Sequence, residues 1–230
     1  MSHFHFNSVP ARLRLSVVLA VLLTFSLACA GLSGLSATYT LTFAPDTSAT
    51  LTPDMLAAAQ AVLQERLNAQ LAGKAEIQIV NDRLEVTLTT QTDITPTIQM
   101  ATEVGEIIFF DSTKPFEVGE TIPDEVTVIL SNEDVAEATV VRNATFDSFE
   151  IALRFTPDGV EAMRAYTSNN IGHYLVIARD GVVLSAPIIN DIIFTEATIA
   201  GNFTEAEAKN LAAQLVSGRL PFPLSLVEQK

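Results

Sequence analysis

The chain has 230 residues, with 27 Asp+Glu against 13 Lys+Arg for a formal net charge of −14, and 48% of its residues are hydrophobic. That balance belongs to a folded globular chain, and its acidity excludes nucleic acid as a partner, because phosphate binding needs clustered Lys and Arg. One cysteine excludes a disulfide framework and any multi-thiolate metal site, and three histidines, two of them in the first five residues, leave almost nothing for a histidine-based centre.

Residues 1–14 carry Arg12 and Arg14 and no acid, and Leu15 to Ala28 is continuously apolar. A basic start and an apolar run shorter than the ~20 residues that span a bilayer comfortably read as a signal peptide over residues 1–28. Two processing routes stay open. Ala28-Cys29-Ala30 fits ordinary cleavage, whereas Leu27-Ala28-Cys29 resembles a bacterial lipobox, with Ser26 where that pattern prefers Leu, and makes Cys29 a lipidation candidate. Either route places the protein outside the cytoplasmic membrane, and lipidation would hold it there through an N-terminal anchor. Residues 29–37, rich in Gly and Ser, read as a tether.

Tyr39, Leu41 and Phe43 alternate with threonines, a half-buried strand. Thr52-Pro53-Asp54 opens a helix, with Thr as cap, Pro where its missing N–H costs nothing and Asp at the positive end of the dipole. Apolar residues at helical spacing follow from Met55 to Leu67, and Gly73 is the expected stop. Strands are expected at 77–80 and 84–88 around an Asn81-Asp82 turn, then a helix from Thr95-Pro96 and a strand at 106–110. This β-α-β-β-α-β order is the split βαβ plan of a ferredoxin-like sheet. Residues 111–125, with two prolines and little periodicity, read as a connection to a second subdomain. Beyond it, strands are expected at 126–130 and 149–155, and Thr156-Pro157-Asp158 repeats the helix start. Asp180-Gly181 signals a two-residue hairpin, and Thr204-Glu205-Ala206-Glu207 a capping box before a helix that stops at Gly218.

From about Val126 to Glu228 the chain resembles the first extracytoplasmic domain of SecD, the export-channel accessory subunit. The matching segments stand in order. They are Asn132 to Ala138, Phe155-Thr156-Pro157-Asp158-Gly159, and Arg179-Asp180-Gly181-Val182-Val183-Leu184-Ser185-Ala186-Pro187-Ile188. Ile199-Ala200-Gly201-Asn202-Phe203-Thr204-Glu205 and Ser217-Gly218-Arg219-Leu220-Pro221-Phe222-Pro223-Leu224 complete the set. Upstream, Leu63 to Ala69 and Glu76 to Val80 resemble the same family's preceding region. The resemblance implies an α+β fold, with a ferredoxin-like base (38–112 plus 222–228) and an inserted α+β head (113–221). It marks Asp180, Gly181, Ser185, Ala186, Pro187, Gly201, Phe203, Gly218, Leu220 and Pro221 as structural or hinge positions. The family's Asp-Leu-x-Gly-Gly segment has no match at Thr38 to Pro45, and its proton-conducting membrane helices have no counterpart in this sequence.

No residue set here points to catalysis. Asp180 is read as a turn residue rather than a catalytic acid. Glu205 and Glu207 are read as first-turn carboxylates, His173 has no nucleophile motif nearby, and Ser185 lies outside any G-x-S-x-G elbow. Phe146, Phe149, Phe203 and Phe222 are weighed as an exposed groove against ordinary core packing, with Gly159, Gly181, Gly201 and Gly218 as candidate hinges. No cofactor or metal is expected. The expected role is a membrane-tethered, SecD-like accessory that binds unfolded or translocating polypeptide without a proton-driven motor, beside components of the Sec translocon. The alternative is a non-catalytic scaffold module of a cell-envelope complex.

Overall fold

Two separate sheets-and-helices cores lie within Thr38–Lys230, which forms one compact unit. The computed structural model describes residues 36–230 apart from 49, 72–74 and 92. The signal segment, Cys29 and the Gly73 stop lie outside the described residues; of the tether, Ser36 and Ala37 are described, and Ala37 already begins a strand.

The base is built from β1 (Ala37–Pro45), α1 (Pro53–Leu71), β2 (Ala75–Val80), β3 (Arg83–Thr90), α2 (Thr95–Thr102) and the last strand, β11 (Leu224–Gln229). Its strand order is β11-β1-β3-β2. The β2–β3 hairpin turns on Asn81 and Asp82, both at positive φ (50° and 60°), the left-handed geometry that short polar side chains tolerate. Thr52 caps α1 by accepting a hydrogen bond from the Met55 N–H. Leu41 and Phe43 of β1, Leu56 and Leu63 of α1, Leu84 and Val86 of β3, Met100 of α2 and Phe222 close one apolar core.

The head is spliced between α2 and β11. It holds β4 (Ile107–Ser112), β5 (Val128–Ser131), a 3-10 turn at Asn132–Asp134, β6 (Val135–Asn143) and β7 (Ser148–Phe155). After these come α3 (Pro157–Asn169), β8 (Tyr174–Arg179), β9 (Val182–Ser185), β10 (Glu196–Phe203) and α4 (Glu205–Ser217). One sheet runs β5-β4-β8-β9 and a second β10-β7-β6. Thr156 caps α3 through the Gly159 N–H, and Thr204 and Glu207 form the reciprocal capping box of α4. Ala208, Leu211 and Leu215 of α4 enter the head core, while Ala213 on the same helix packs into the base core. That helix is shared by both lobes.

Two expectations are corrected. The strand at 107–112 does not complete the base sheet: it pairs antiparallel with β8, from Ile107↔Arg179 to Ser112↔Tyr174, and with β5. The fourth base strand is β11, antiparallel to β1, so the base ends before Ile107 rather than at residue 112. Residues 111–125 are not a link between lobes but a cover within the head. β4 and β8 are apolar on both faces: Phe109, Leu175 and Ile177 face the main head core, and Phe110, Val176 and Ala178 face a second cluster closed by Phe116, Ile122 and Val126. A strand buried on both sides reads as a continuous apolar run, and Phe116 meets Phe110 edge-on at 5.7 Å to supply the second layer.

Candidate functional site

The chain crosses between lobes twice, outward at 103–106 and back at 217–220, and the two crossings pair directly through Leu220 N–H to the Val104 carbonyl (2.8 Å). Arg66, on the inner face of α1, is fully buried beneath them. Its guanidinium donates to the carbonyls of Met100 (3.3 Å), Glu103 (2.7 Å), Val104 (2.7 Å) and Gly218 (2.8 Å), and to Ser217 Oγ (3.2 Å). The planar five-donor fork suits such a set, which a lysine could not span. Burial pushes its pKa down to about 10 against the pull of Asp180 and Glu103, so it stays charged at neutral pH. Gly105, at φ +73°, lies against it; a Cβ there would stand 2.4 Å from Arg66 Nη2.

Other side chains fasten the same crossings. The Asp180 carboxylate accepts from the N–H groups of Gly105 (3.0 Å) and Glu106 (2.8 Å), beyond its role in the turn, where φ is 49°. Buried Asn132 accepts from the Ile107 N–H and donates to the carbonyls of Gly105 and Gln214. Gln214 donates to Glu103 Oε2 (2.6 Å), which Arg179 approaches to 3.6 Å, and Arg219 pairs with Glu106 (2.6 Å).

The second feature is an apolar groove in the head. Its floor is Phe109, Leu153, Leu175 and Ile177; one wall is the segment 187–193, with Ile188, Ile189, Ile192 and Ile193, and the other is β10 at Ala197–Ile199. The groove, open to solvent along one side, has a volume of about 340 Å³. The first wall is tied to the body through backbone bonds, Leu175 N–H to Pro187 C=O and Ile189 N–H to His173 C=O, and through Ile193 N–H to buried Thr167 Oγ1. Beside it, Asp111 Oδ1 accepts from Tyr166 Oη (2.5 Å) and lies 2.9 Å from His173 Nδ1. Burial alone would raise the Asp111 pKa; the bonds from Tyr166 and His173 and the His173 charge outweigh it and hold the carboxyl below its ordinary range.

The ten positions marked in the sequence gather in two places. Asp180, Gly181, Gly218, Leu220 and Pro221 lie at or next to the crossings. Ser185, Ala186, Pro187, Gly201 and Phe203 lie where the two head sheets approach, with Ser185 Oγ donating to the Ala200 carbonyl (3.3 Å) and the Phe203 ring resting on Gly201. The four phenylalanines do not form one groove. Phe222 is in the base core, Phe149 and Phe203 are register partners, and Phe146 stands 74% exposed near the β6–β7 turn. Sequence reading missed Arg66, the junction role of Asn132, and Ile189, Ile192 and Ile193 as a groove wall. An arginine inside a helix and an asparagine before a strand give no local signal of partners that lie far away in the sequence.

The fold is thus a two-lobed α+β domain with a head inserted into a ferredoxin-like base. A family model for the SecDF P1 head subdomain matches residues 108–222. The chain is 38% identical over 103 residues to the protein translocase subunit SecD of Syntrophobacter fumaroxidans, covering 44% of this chain and 19% of that protein. It is 36% identical over 122 residues to the protein translocase subunit SecDF of Thermus thermophilus, covering 51% and 15%. The crystal structure of SecDF in its super-membrane-facing form superposes on 94% of this chain at a TM-score of 0.76 and 27% identity, using 34% of that chain. A second structure, of a membrane component SecDF that enhances protein export, gives 0.66 at 26% identity over 82% of this chain and 98% of its own. The chain belongs to the SecDF family through its P1 head subdomain, and spans less than a fifth of the length of these two curated relatives. No described helix is long and apolar enough to cross a membrane.

Proposed function

We propose that this protein is an extracytoplasmic, non-catalytic accessory of protein export, holding unfolded or translocating polypeptide in the head groove close to Sec translocon components. The observation that carries the reading is the groove itself: an apolar channel opening between two sheets, floored by core residues and edged by Asp191. Such a surface takes apolar segments, and the chain's net charge of −14 favours partners that carry Lys and Arg. The relatives' printed names, translocase subunits and a component that enhances export, point the same way. In this reading the N-terminal segment keeps the protein at the membrane through acylated Cys29. The described lobes bind rather than drive, and Asp180, Gly218 and their neighbours set the relation of head to base.

The test is binding of a reduced, denatured, fluorophore-labelled protein, followed by anisotropy, with a photo-crosslinker at position 193. Saturable binding, a crosslink at 193 and weakened binding in Ile193→Lys support it. Binding of one folded envelope protein with no affinity for denatured chains would instead establish the scaffold alternative.

A further inference from the structure

A side chain lines a cavity from a strand face at every second residue, yet three consecutive residues of β10, Ala197, Thr198 and Ile199, line this groove. The Thr198 side chain is exposed and also borders a trough on the opposite face of its sheet. What β10 presents to the groove is therefore its backbone edge.

β10 pairs with β7 through Glu196↔Arg154 to Ile199↔Ile151, and no described strand pairs with its other edge. The neighbouring sheet treats its own edge differently. β9 is covered by the chain itself: Gly119 N–H donates to Val183 C=O, Val183 N–H to Glu120 C=O, and Ile122 N–H to Gly181 C=O. Edge strands without a cover are commonly blunted by lysine, proline or inward charge. β6 carries Glu137 and Arg142 within its length, but β10, running Glu196-Ala-Thr-Ile-Ala-Gly-Asn-Phe203, has no lysine, arginine or proline and a single charge, Glu196, at its first residue. From Glu196 to Ile199 it is an open edge beside an apolar trench, closed beyond that by Ser185 Oγ on the Ala200 carbonyl (3.3 Å).

We infer that translocating polypeptide docks here by strand addition: an extended segment pairs its backbone with the free edge of β10 and sends alternate side chains into the groove. This rests on the polypeptide-holding reading and specifies its mode. The occupant follows from the geometry. A ladder of main-chain donors and acceptors is met by another main chain irrespective of sequence, which suits a site that must accept many chains. The groove selects apolar or β-branched side chains at every second position, and Asp191 at its edge, on a chain of net charge −14, favours basic flanks.

The experiment uses the full chain and a ten-residue peptide alternating valine and threonine between lysine ends. Two further versions carry backbone N-methyl groups, one on the valines and one on the threonines. Strand addition predicts that at least one methylated version binds tenfold or more weakly than the parent. It also predicts that amide hydrogen exchange at 196–200 slows at least tenfold when the parent peptide is bound. Equal binding of all three, with protection confined to 188–193, would leave the protein a polypeptide binder and overturn strand addition. If the parent peptide and denatured proteins all fail to bind, the polypeptide-holding reading falls and takes this mode with it.

Discussion

At Arg66, one side chain satisfies four carbonyls, one in the last turn of α2 and three in the two crossings of the chain. Replacing it with methionine keeps much of the packing but strands those acceptors in a buried site, at a cost of about 3 kcal/mol or more. In urea titration at neutral pH, Arg66→Met is expected to show that loss, and Arg66→Lys to recover only part of it, since a single ammonium cannot reach all of them. Asp82 and Asp180 make a matched comparison, because both sit in hairpin turns at positive φ, but only Asp180 accepts from backbone N–H groups of a distant segment. Asparagine tolerates the same turn. Asp82→Asn is expected to cost under about 0.5 kcal/mol, and Asp180→Asn about 1–3 kcal/mol, because its amide nitrogen would face a donor. The turn role of Asp180 is legible from the Asp-Gly dipeptide. Its second role is not, because Gly105 is 75 residues away.

The Tyr166–Asp111–His173 cluster joins α3, β4 and the start of β8, and so holds the body against which one wall of the groove is tied. The Asp111 carboxyl is held below its ordinary 3.8 in the folded protein. A depressed acid contributes stability that is present above its unfolded pKa and lost as pH falls through the folded one. Wild type is therefore expected to exceed Asp111→Asn in stability at pH 7, with the gap closing between about pH 5 and pH 2 as the carboxyl protonates; urea unfolding at a series of pH values reads it. At this scale, caps and hairpins follow from sequence because their chemistry is local: Thr52, Thr156 and Thr204 act within a few residues, as does Asp180 in its turn role. Sheet membership is not local. Ile107 to Phe110 would suit either the base or the head, and only the partner strand β8 decides it. β6 and β10 escape notice for another reason. β6 is exposed over much of its length, and β10 has an irregular register between Ile199 and Phe203, so neither shows clean alternation.

Over the whole molecule, a formal charge of −14 sets how partners approach. The association rate of a lysine-rich denatured chain is expected to fall as salt rises from low to physiological strength, while an acidic denatured chain of equal length associates slowly throughout; stopped-flow anisotropy distinguishes the two. The two-lobed plan is legible in the ordered family segments. The hydrogen-bonded junction is not, because it is assembled from α1, the 3-10 turn, the β8–β9 turn and α4, which meet only in the folded chain.

Inserting the head between α2 and β11 also imposes a sequence of events. As a nascent chain emerges, β1 is made first and its antiparallel partner β11 last, with the entire head synthesised in between. Until then β1 offers an unpaired margin to any passing strand. Folding of the head draws residues 104 and 220 together and so shortens the excursion β11 must otherwise close by chance. A lesion buried in the head would then surface as aggregation seeded from the base.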